Sequence, residues 1–305
     1  RMYFMAKKVK PKIVHVHDII ALPIGCFISR RLRIPLIYDA HELQAEQYRY
    51  KDNLIIKKLI LLTEKFFLRY VESVITVNDS IANEYVKKYK IKKPYVIMNC
   101  PPFEQVYDKK NLFRKTFNIP EEKVIFLYQG GFIPGRAIEL LIEAFLSLNN
   151  KDAILILMGF GPLEKWLIKY TKESSNIILK KAVHPDELIK WTSSADIGFS
   201  IIENSCLNHY YSLPNKFCEY IMAEIPVIVS NVLEQRRIVE KYKIGWVLEA
   251  NTVENIQNII YKCINEDLDI YKKRLREIKT KYSWEEQEVQ LLKAYNTVIQ
   301  KGTKN

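Results

Sequence analysis

Residues 212–228 read SLPNKFCEYIMAEIPVI. A polar turn with Pro214 and Asn215 runs into a short apolar helix, and Pro226 and a β-branched strand follow at once. A loop that feeds a helix N-terminus presents unpaired N–H groups and a partial positive charge, which suits a phosphate. Lys216 adds a cation beside that position. Glu219 stands one turn further on, within reach of vicinal hydroxyls such as those of a ribose. The combination reads as a seat for a nucleoside diphosphate. Taken alone it is also an ordinary loop–helix–strand unit, reused widely among α/β folds as scaffold.

A second stretch upstream tips the balance. Residues 124–136, VIFLYQGGFIPGR, read as a buried strand ending in Gly130 and Gly131, then a turn, then Arg136 at the start of the next amphipathic helix. Glycines at a strand end let backbone approach a ligand closely. A guanidinium there can grip phosphate oxygens as a bidentate fork. GFGP at 159–162 has only two glycines and reads as a tight turn.

Short β-branched runs alternate with amphipathic helices along the whole chain, the pattern of parallel sheets built from βαβ units. Strands are expected at 12–17, 34–39, 73–77 and 95–98, and again near 124–128, 153–158, 176–180, 196–201, 226–229 and 246–248. A helix over 50–71 mixes Leu and Ile with Lys, so one face is expected in the core and the other in water. NCPPFEQV at 99–106 holds adjacent prolines and reads as an extended linker. The GG pair and the loop 203–214 both fall at the carboxyl ends of strands, where doubly wound sheets bind ligands.

At 305 residues, 48% hydrophobic, the chain is long enough for two folded domains. No run approaches 18 apolar residues. No secretory leader is legible in residues 1–10, and five scattered cysteines without a CxxC pair point to reduced thiols and a cytoplasmic setting. His15 and His17 share a strand face but have no third ligand close in sequence, so no metal is expected. Residues 1–106 carry 19 Lys and Arg against 10 Asp and Glu, which is +9 of the net +12. Basic clusters at 7–12, 30–33 and 87–93 would attract an anionic surface, although such runs are often only solvated faces. Nucleic-acid motifs are absent, and nucleic acid is not expected as a partner.

In order along the chain, KIVHVHD (12–18), IPLIYDAHE (34–42), SVITVNDSIANEY (73–85), YQGGFIPGRAIELLIEAF (128–145), ILILMGFGPLE (154–164), HPDELIKWTSSADIGF (184–199), SLPNKFCEY (212–220) and SWEEQEVQLLKAY (283–295) resemble the retaining GT-B glycosyltransferases of the family 4 type. The resemblance is specific as an ensemble, with no single motif decisive. It implies an α/β fold of two Rossmann-like doubly wound domains facing a cleft. Residues 1–106 would form the acceptor side, 107–282 the donor-binding domain, and 283–305 a helix packing back toward the first. It also implies that Gly130 and Gly131 face a sugar diphosphate and that Arg136 and Lys216 neutralise it. Leu213, Pro214 and Asn215 would form the loop beside it, Glu219 would hold the ribose, and backbone near Val183 would meet the base. His17 would stand beside the transferred sugar and acceptor. The implied donor is a nucleoside-diphosphate sugar, with no further cofactor and no metal. The implied acceptor is a saccharide or a lipid-linked hydroxyl in cell-surface polysaccharide or glycolipid synthesis.

Two departures from that pattern matter. Many relatives carry a Glu eight residues before the ribose Glu, where this chain has Tyr211. Glu203, in the same loop, is the candidate replacement, against the simpler reading of a solvated loop carboxylate. Relatives also begin with a βαβ unit that has no counterpart here. The N-terminal domain is therefore expected to be incomplete, and either a second chain completes its sheet or transfer is weak. Sugar transfer to a hydroxyl is the favoured function. A non-catalytic sugar-nucleotide-binding or scaffold subunit of a split enzyme is the alternative, and an epimerase or phosphorylase stands behind both.

Overall fold

Strand β5 (Val124–Gly131) is apolar and buried from Ile125 to Tyr128, as a central strand covered on both faces must be. In the computed structural model, which describes residues 1–106 and 111–302, it is the hub of a six-stranded sheet. The linker expected at 99–106 abuts residues 107–110, which lie outside the described residues.

The chain divides into two compact units. The first comprises Arg1–Asn99, Cys206–Tyr211 and the segment from Glu285 onward. It holds α1 (Met2–Val9), β1 (Val14–His17), α2 (Asp18–Leu32), β2 (Leu36–Ala40), α3 (Leu54–Leu68), β3 (Ser73–Thr76), α4 (Asp79–Tyr89) and β4 (Tyr95–Val96). Its four strands pair in parallel in the order β1-β2-β3-β4.

The second unit comprises Cys100–Ser205 and Ser212–Trp284. After α5 (Leu112–Phe117) and β5 it runs α6 (Ile138–Leu146), β6 (Ala153–Phe160), α7 (Glu164–Glu173), β7 (Ile177–Lys181), α8 (Pro185–Thr192) and β8 (Ile197–Ser200). The short α9 (Leu207–Tyr210) belongs to the first unit. Then follow α10 (Asn215–Met222), β9 (Val227–Val229), α11 (Leu233–Tyr242), β10 (Gly245–Val247), α12 (Val253–Ile264) and α13 (Asp269–Ile278), and α14 (Trp284–Gly302) runs on from there. The second sheet has the order β7-β6-β5-β8-β9-β10, all parallel. The chain builds outward on one side of β5, then returns to lay β8 on its other side. That reversal leaves a crevice at the carboxyl ends of β5 and β8, where doubly wound sheets seat ligands.

Helix α10 is pinned over this crevice by one side chain. The buried Tyr220 hydroxyl lies 3.1 Å from Leu127 O and 3.2 Å from Phe199 O, and accepts the Gln129 N–H at 3.1 Å. Its ring lies flat on β8, where a Cβ at Gly198 would come within 2.7 Å of it. Glycine at 198 is therefore a packing requirement of the helix that follows.

In the first unit, α14 packs Ala294 and Val298 against Ile37, Ile75 and Ile97 of that unit's sheet and its flank. Helix α3 departs from the sequence expectation. It starts at Leu54, and its only carboxylate points inward: Glu64 is buried and accepts hydrogen bonds from the hydroxyls of Tyr38, Tyr85 and Tyr89. Its outward face carries Leu54, Ile55, Leu59, Leu62 and Phe66. The wet face thus carries large apolar side chains beside the exposed Lys58 and Lys65.

Candidate functional site

In the second unit, Tyr128, Gly130, Gly131, Ile133, Arg136, Pro214, Asn215, Lys216 and Glu219 line one hollow of about 390 Å³. Seven of the nine residues expected to bind a donor are among them. Backbone geometry explains the glycine at the strand end: Gly130 has φ +117°, a conformation side chains avoid, and a Cβ there would meet the Lys216 stem at 3.4 Å. Opposite, no side chain caps the N-terminus of α10, whose first residues Asn215 and Lys216 line the hollow.

Lys216 is the electrostatic centre. It is only 8% exposed, its Nζ sits 3.5 Å from the centre of the Tyr128 ring, and that nitrogen has no hydrogen-bond partner. Burial, reinforced by the neighbouring Arg136 charge, holds its pKa well below the usual lysine range, while Glu219 pulls the other way. Glu219 is itself pushed up by burial, against a hydrogen bond from Gln129 Nε2 and the charge of Lys216. Gln129 is fixed in turn by Thr192, whose hydroxyl donates to its Oε1 at 2.7 Å. A carboxylate braced by an amide, between two cations and an uncapped helix, can accept from hydroxyls while its neighbours accept an anion.

Three expected site residues stand apart from the lining. Val183 is half-buried just after β7, and Leu213 is half-buried before Pro214. Glu203 is tied to the rim through its backbone, its N–H donating to Gly135 O at 3.0 Å, but its carboxylate does not line the hollow. Tyr211 belongs to the first unit, where its carbonyl accepts from Asn78 Nδ2 at 2.8 Å. Sequence reasoning missed Tyr128 and Gln129. A polar Gln closing an otherwise apolar strand was the available signal.

His17 lies in the first unit at the carboxyl end of β1, within a cluster that its motif only partly announced. Asp39 Oδ2 is 3.3 Å from His17 Nδ1, 3.4 Å from His41 Nε2 and 3.7 Å from His15 Nε2. His41 Nδ1 is 3.5 Å from Asp18, and His15 Nδ1 is 2.6 Å from the Tyr295 hydroxyl. Hydrogen bonds to Asp18 and then Asp39 push His41 up to about 10, against burial. Burial would raise Asp39, but the polar contacts and charges of the adjacent His15 and His41 outweigh it and hold its carboxyl below the usual range. His15, His17 and Asp39 place donor atoms within 4.8 Å of one another, a spacing a metal ion could bridge. The His15 and His17 rings are stacked, 19° from parallel.

The sign of the His41 effect is definite. Its folded pKa lies above the unfolded value of about 6.5, so the pairing stabilises fully below that pH. The contribution is lost as pH rises through about 10. The stability gap between the parent and His41→Gln is expected to shrink across that window in chemical denaturation. Asp18→Asn is expected to lower the His41 pKa in an NMR titration. A gap that widens with pH, or an unmoved titration, contradicts this pairing.

Residues 109–284 match the family described as glycosyl transferases group 1, and residues 1–101 match glycosyltransferase family 4. A stretch of 160 residues is 24% identical to the uncharacterized glycosyltransferase YqgM of Bacillus subtilis (strain 168), covering 49% of this chain and 40% of that one. The match thus spans less than half the length of that relative. Among solved structures, Anabaena HepE in complex with UDP superposes with a TM-score of 0.75 at 14% identity, covering 97% of this chain and 81% of that chain. Sucrose-phosphate synthase from Thermosynechococcus elongatus does so at 0.75 and 18%, covering 98% and 76%. At such identities the likeness establishes the fold, and it is the GT-B fold expected from the sequence.

Proposed function

The chain belongs to the glycosyl transferases group 1 family, and from that premise we propose that it transfers a sugar from a nucleoside-diphosphate donor to a hydroxyl acceptor, with retention at the anomeric carbon. The observation that carries this reading is the single hollow that joins Gly130, Gly131, Arg136, Lys216 and Glu219 at the reversal of strand order. Arg136, Lys216 and the open end of α10 stabilise charge that develops on the departing diphosphate. Glu219 accepts from the ribose hydroxyls, and backbone near Val183 meets the base. The leaving phosphate oxygen takes the acceptor proton on the same face, so no separate base is required. His17 attends the acceptor, with Glu203 as the candidate for the carboxylate missing at Tyr211. The donor is a uridine diphosphate sugar, in line with a similar structure in complex with UDP-glucose. Neither metal nor further cofactor takes part in this scheme. The product enters cell-surface polysaccharide or glycolipid, made in the cytoplasm at an anionic membrane surface.

A thermal-shift screen of UDP-, GDP-, ADP-, TDP- and CMP-sugars tests the donor. A ligand at about 100 times its Kd adds roughly 2.7 kcal/mol of stability. A shift with UDP-sugars and turnover with acceptor support the proposal. The Tyr211 position favours the rival, a binding subunit, and a shift without any turnover would establish that rival instead. Glu219→Gln is expected to weaken binding of the nucleoside diphosphate more than that of inorganic pyrophosphate, which has no ribose to lose and gains from removal of a carboxylate beside Lys216. Equal loss of both ligands would remove the ribose role.

A further inference from the structure

We propose that the outward face of α3 is a membrane-docking surface that lies in the plane of an anionic lipid bilayer with its apolar side chains inserted. Leu54, Ile55, Leu59, Leu62 and Phe66 are 46–77% exposed. The last four follow at intervals of four, three and four residues, which places them on one side of the helix. A contiguous stripe of this kind is unusual on a soluble surface and marks an interaction site.

This orientation is built in. Three tyrosine hydroxyls from β2 and α4 converge on Glu64, and Leu68 joins them in the core of the first unit. Rotating α3 to bury its leucines would pull that carboxylate out of its three hydrogen bonds and leave the hydroxyls unpaired. The fold therefore holds the polar residue in and the apolar ones out.

The charges select the partner. Between Lys51 and Arg69 the carboxylates are Asp52 and the buried Glu64, while Lys51, Lys58, Lys65 and Arg69 are exposed. Arg69 lies 4.6 Å over the Phe66 ring, a pairing that lets a guanidinium reach a headgroup while the ring enters the acyl boundary. The stems of Lys58 and Lys65 can snorkel in the same way. Cations interleaved with an apolar stripe complement anionic lipid rather than a neutral protein groove. At 15 residues the helix is about 22 Å long. Among the described residues no helix is long and apolar enough to cross a membrane, so docking is in the plane. This deepens the membrane placement proposed above and rests on it for the sign of the lipid. The basic clusters at 7–12, 30–33 and 87–93 would act through charge alone, whereas this face adds insertion.

The test is co-sedimentation of the whole chain with phosphatidylglycerol vesicles, phosphatidylcholine vesicles serving as control. The parent is expected to bind phosphatidylglycerol at low salt and to retain binding in about 0.5 M NaCl, where the Debye length falls below about 5 Å. Leu59→Ser/Leu62→Ser is expected to lose at least tenfold in vesicle affinity, most clearly at high salt, with its UDP thermal shift unchanged as the measure of folding. Lys58→Gln/Lys65→Gln is expected to weaken binding at low salt only. Absence of vesicle binding by the parent overturns the proposal, as does equal affinity for both lipids. So does a serine variant that binds as well as the parent. A concentration-dependent dimer abolished by the serine pair, with vesicle binding intact, would assign the face to a second copy and overturn it too. Failure of the UDP shift with vesicle binding retained would strike the sugar-transfer reading and leave this one standing.

Discussion

Arg136→Ala is expected to weaken binding of UDP by tenfold or more and to lower kcat/KM at least as much. A hydrogen bond to a charged group contributes roughly 1.5–3 kcal/mol, and about 1.4 kcal/mol is a factor of ten. Arg136 shares its hollow with Lys216, and its charge already helps to depress that lysine. Two cations around one hollow repel each other until an anion arrives. Removing Arg136 therefore takes away ligand affinity and relieves strain in the free protein. The melting temperature of unliganded Arg136→Ala is expected to equal or exceed that of the parent, which separates a binding defect from misfolding. Arg136→Lys is expected to restore only part of the affinity, since an ammonium lacks the planar bidentate fork. UDP affinity in Arg136→Ala equal to the parent's, measured by calorimetry, would exclude Arg136 from the phosphate seat.

Much of this hollow was legible because its parts are local. A buried β-branched run that ends in two glycines announces a strand tip. A proline turn before an apolar segment announces a helix start. What brings Gly130 and Lys216 together is the return of the chain to the far side of β5, which follows from counting alternating strands and helices. Tyr128 and Gln129 escaped notice for the opposite reason. The tyrosine matters as the ring beneath Lys216, and the glutamine as the brace on Glu219. The polar Gln129 in an apolar strand hinted at a site, but neither role could be assigned from sequence, because each depends on a partner some 90 residues away. Helix α3 was legible as half buried and half wet, but it is apolar on nearly every side, and periodicity cannot tell which stripe faces in. The arbiter is Glu64, whose three tyrosine partners come from two other elements. Asp39 and His41 lay within a quoted strand end, but only the sheet register, which sets His17 beside Asp39, makes them a cluster.

Lys216→Met is expected to split stability from binding more sharply than any other substitution. In the free protein the Lys216 ammonium is desolvated, has no hydrogen-bond partner and sits near the like charge of Arg136. A buried polar group without a partner is a net cost to folding. Methionine keeps the stem over the Tyr128 ring and discards the charge, so the unliganded variant is expected to be as stable as the parent or more so. Diphosphate affinity is nevertheless expected to fall roughly ten- to hundredfold, the worth of one charge-assisted contact. The pH dependence fixes the sign. The folded pKa of Lys216 is depressed, so between that value and about 10.4 the unfolded chain binds more protons at this residue, and the Lys216 contribution to stability rises with pH across that window. The variant lacks this slope, and its advantage should vanish in strongly alkaline buffer. Ligand binding must reverse the depression, because an anion beside Nζ favours the charged form. At a pH between the free and the bound pKa of Lys216, diphosphate binding is therefore expected to take up a proton. Calorimetry in two buffers of different ionisation enthalpy reads that proton directly. A Lys216→Met variant that binds UDP like the parent would show that this lysine does not meet the phosphate.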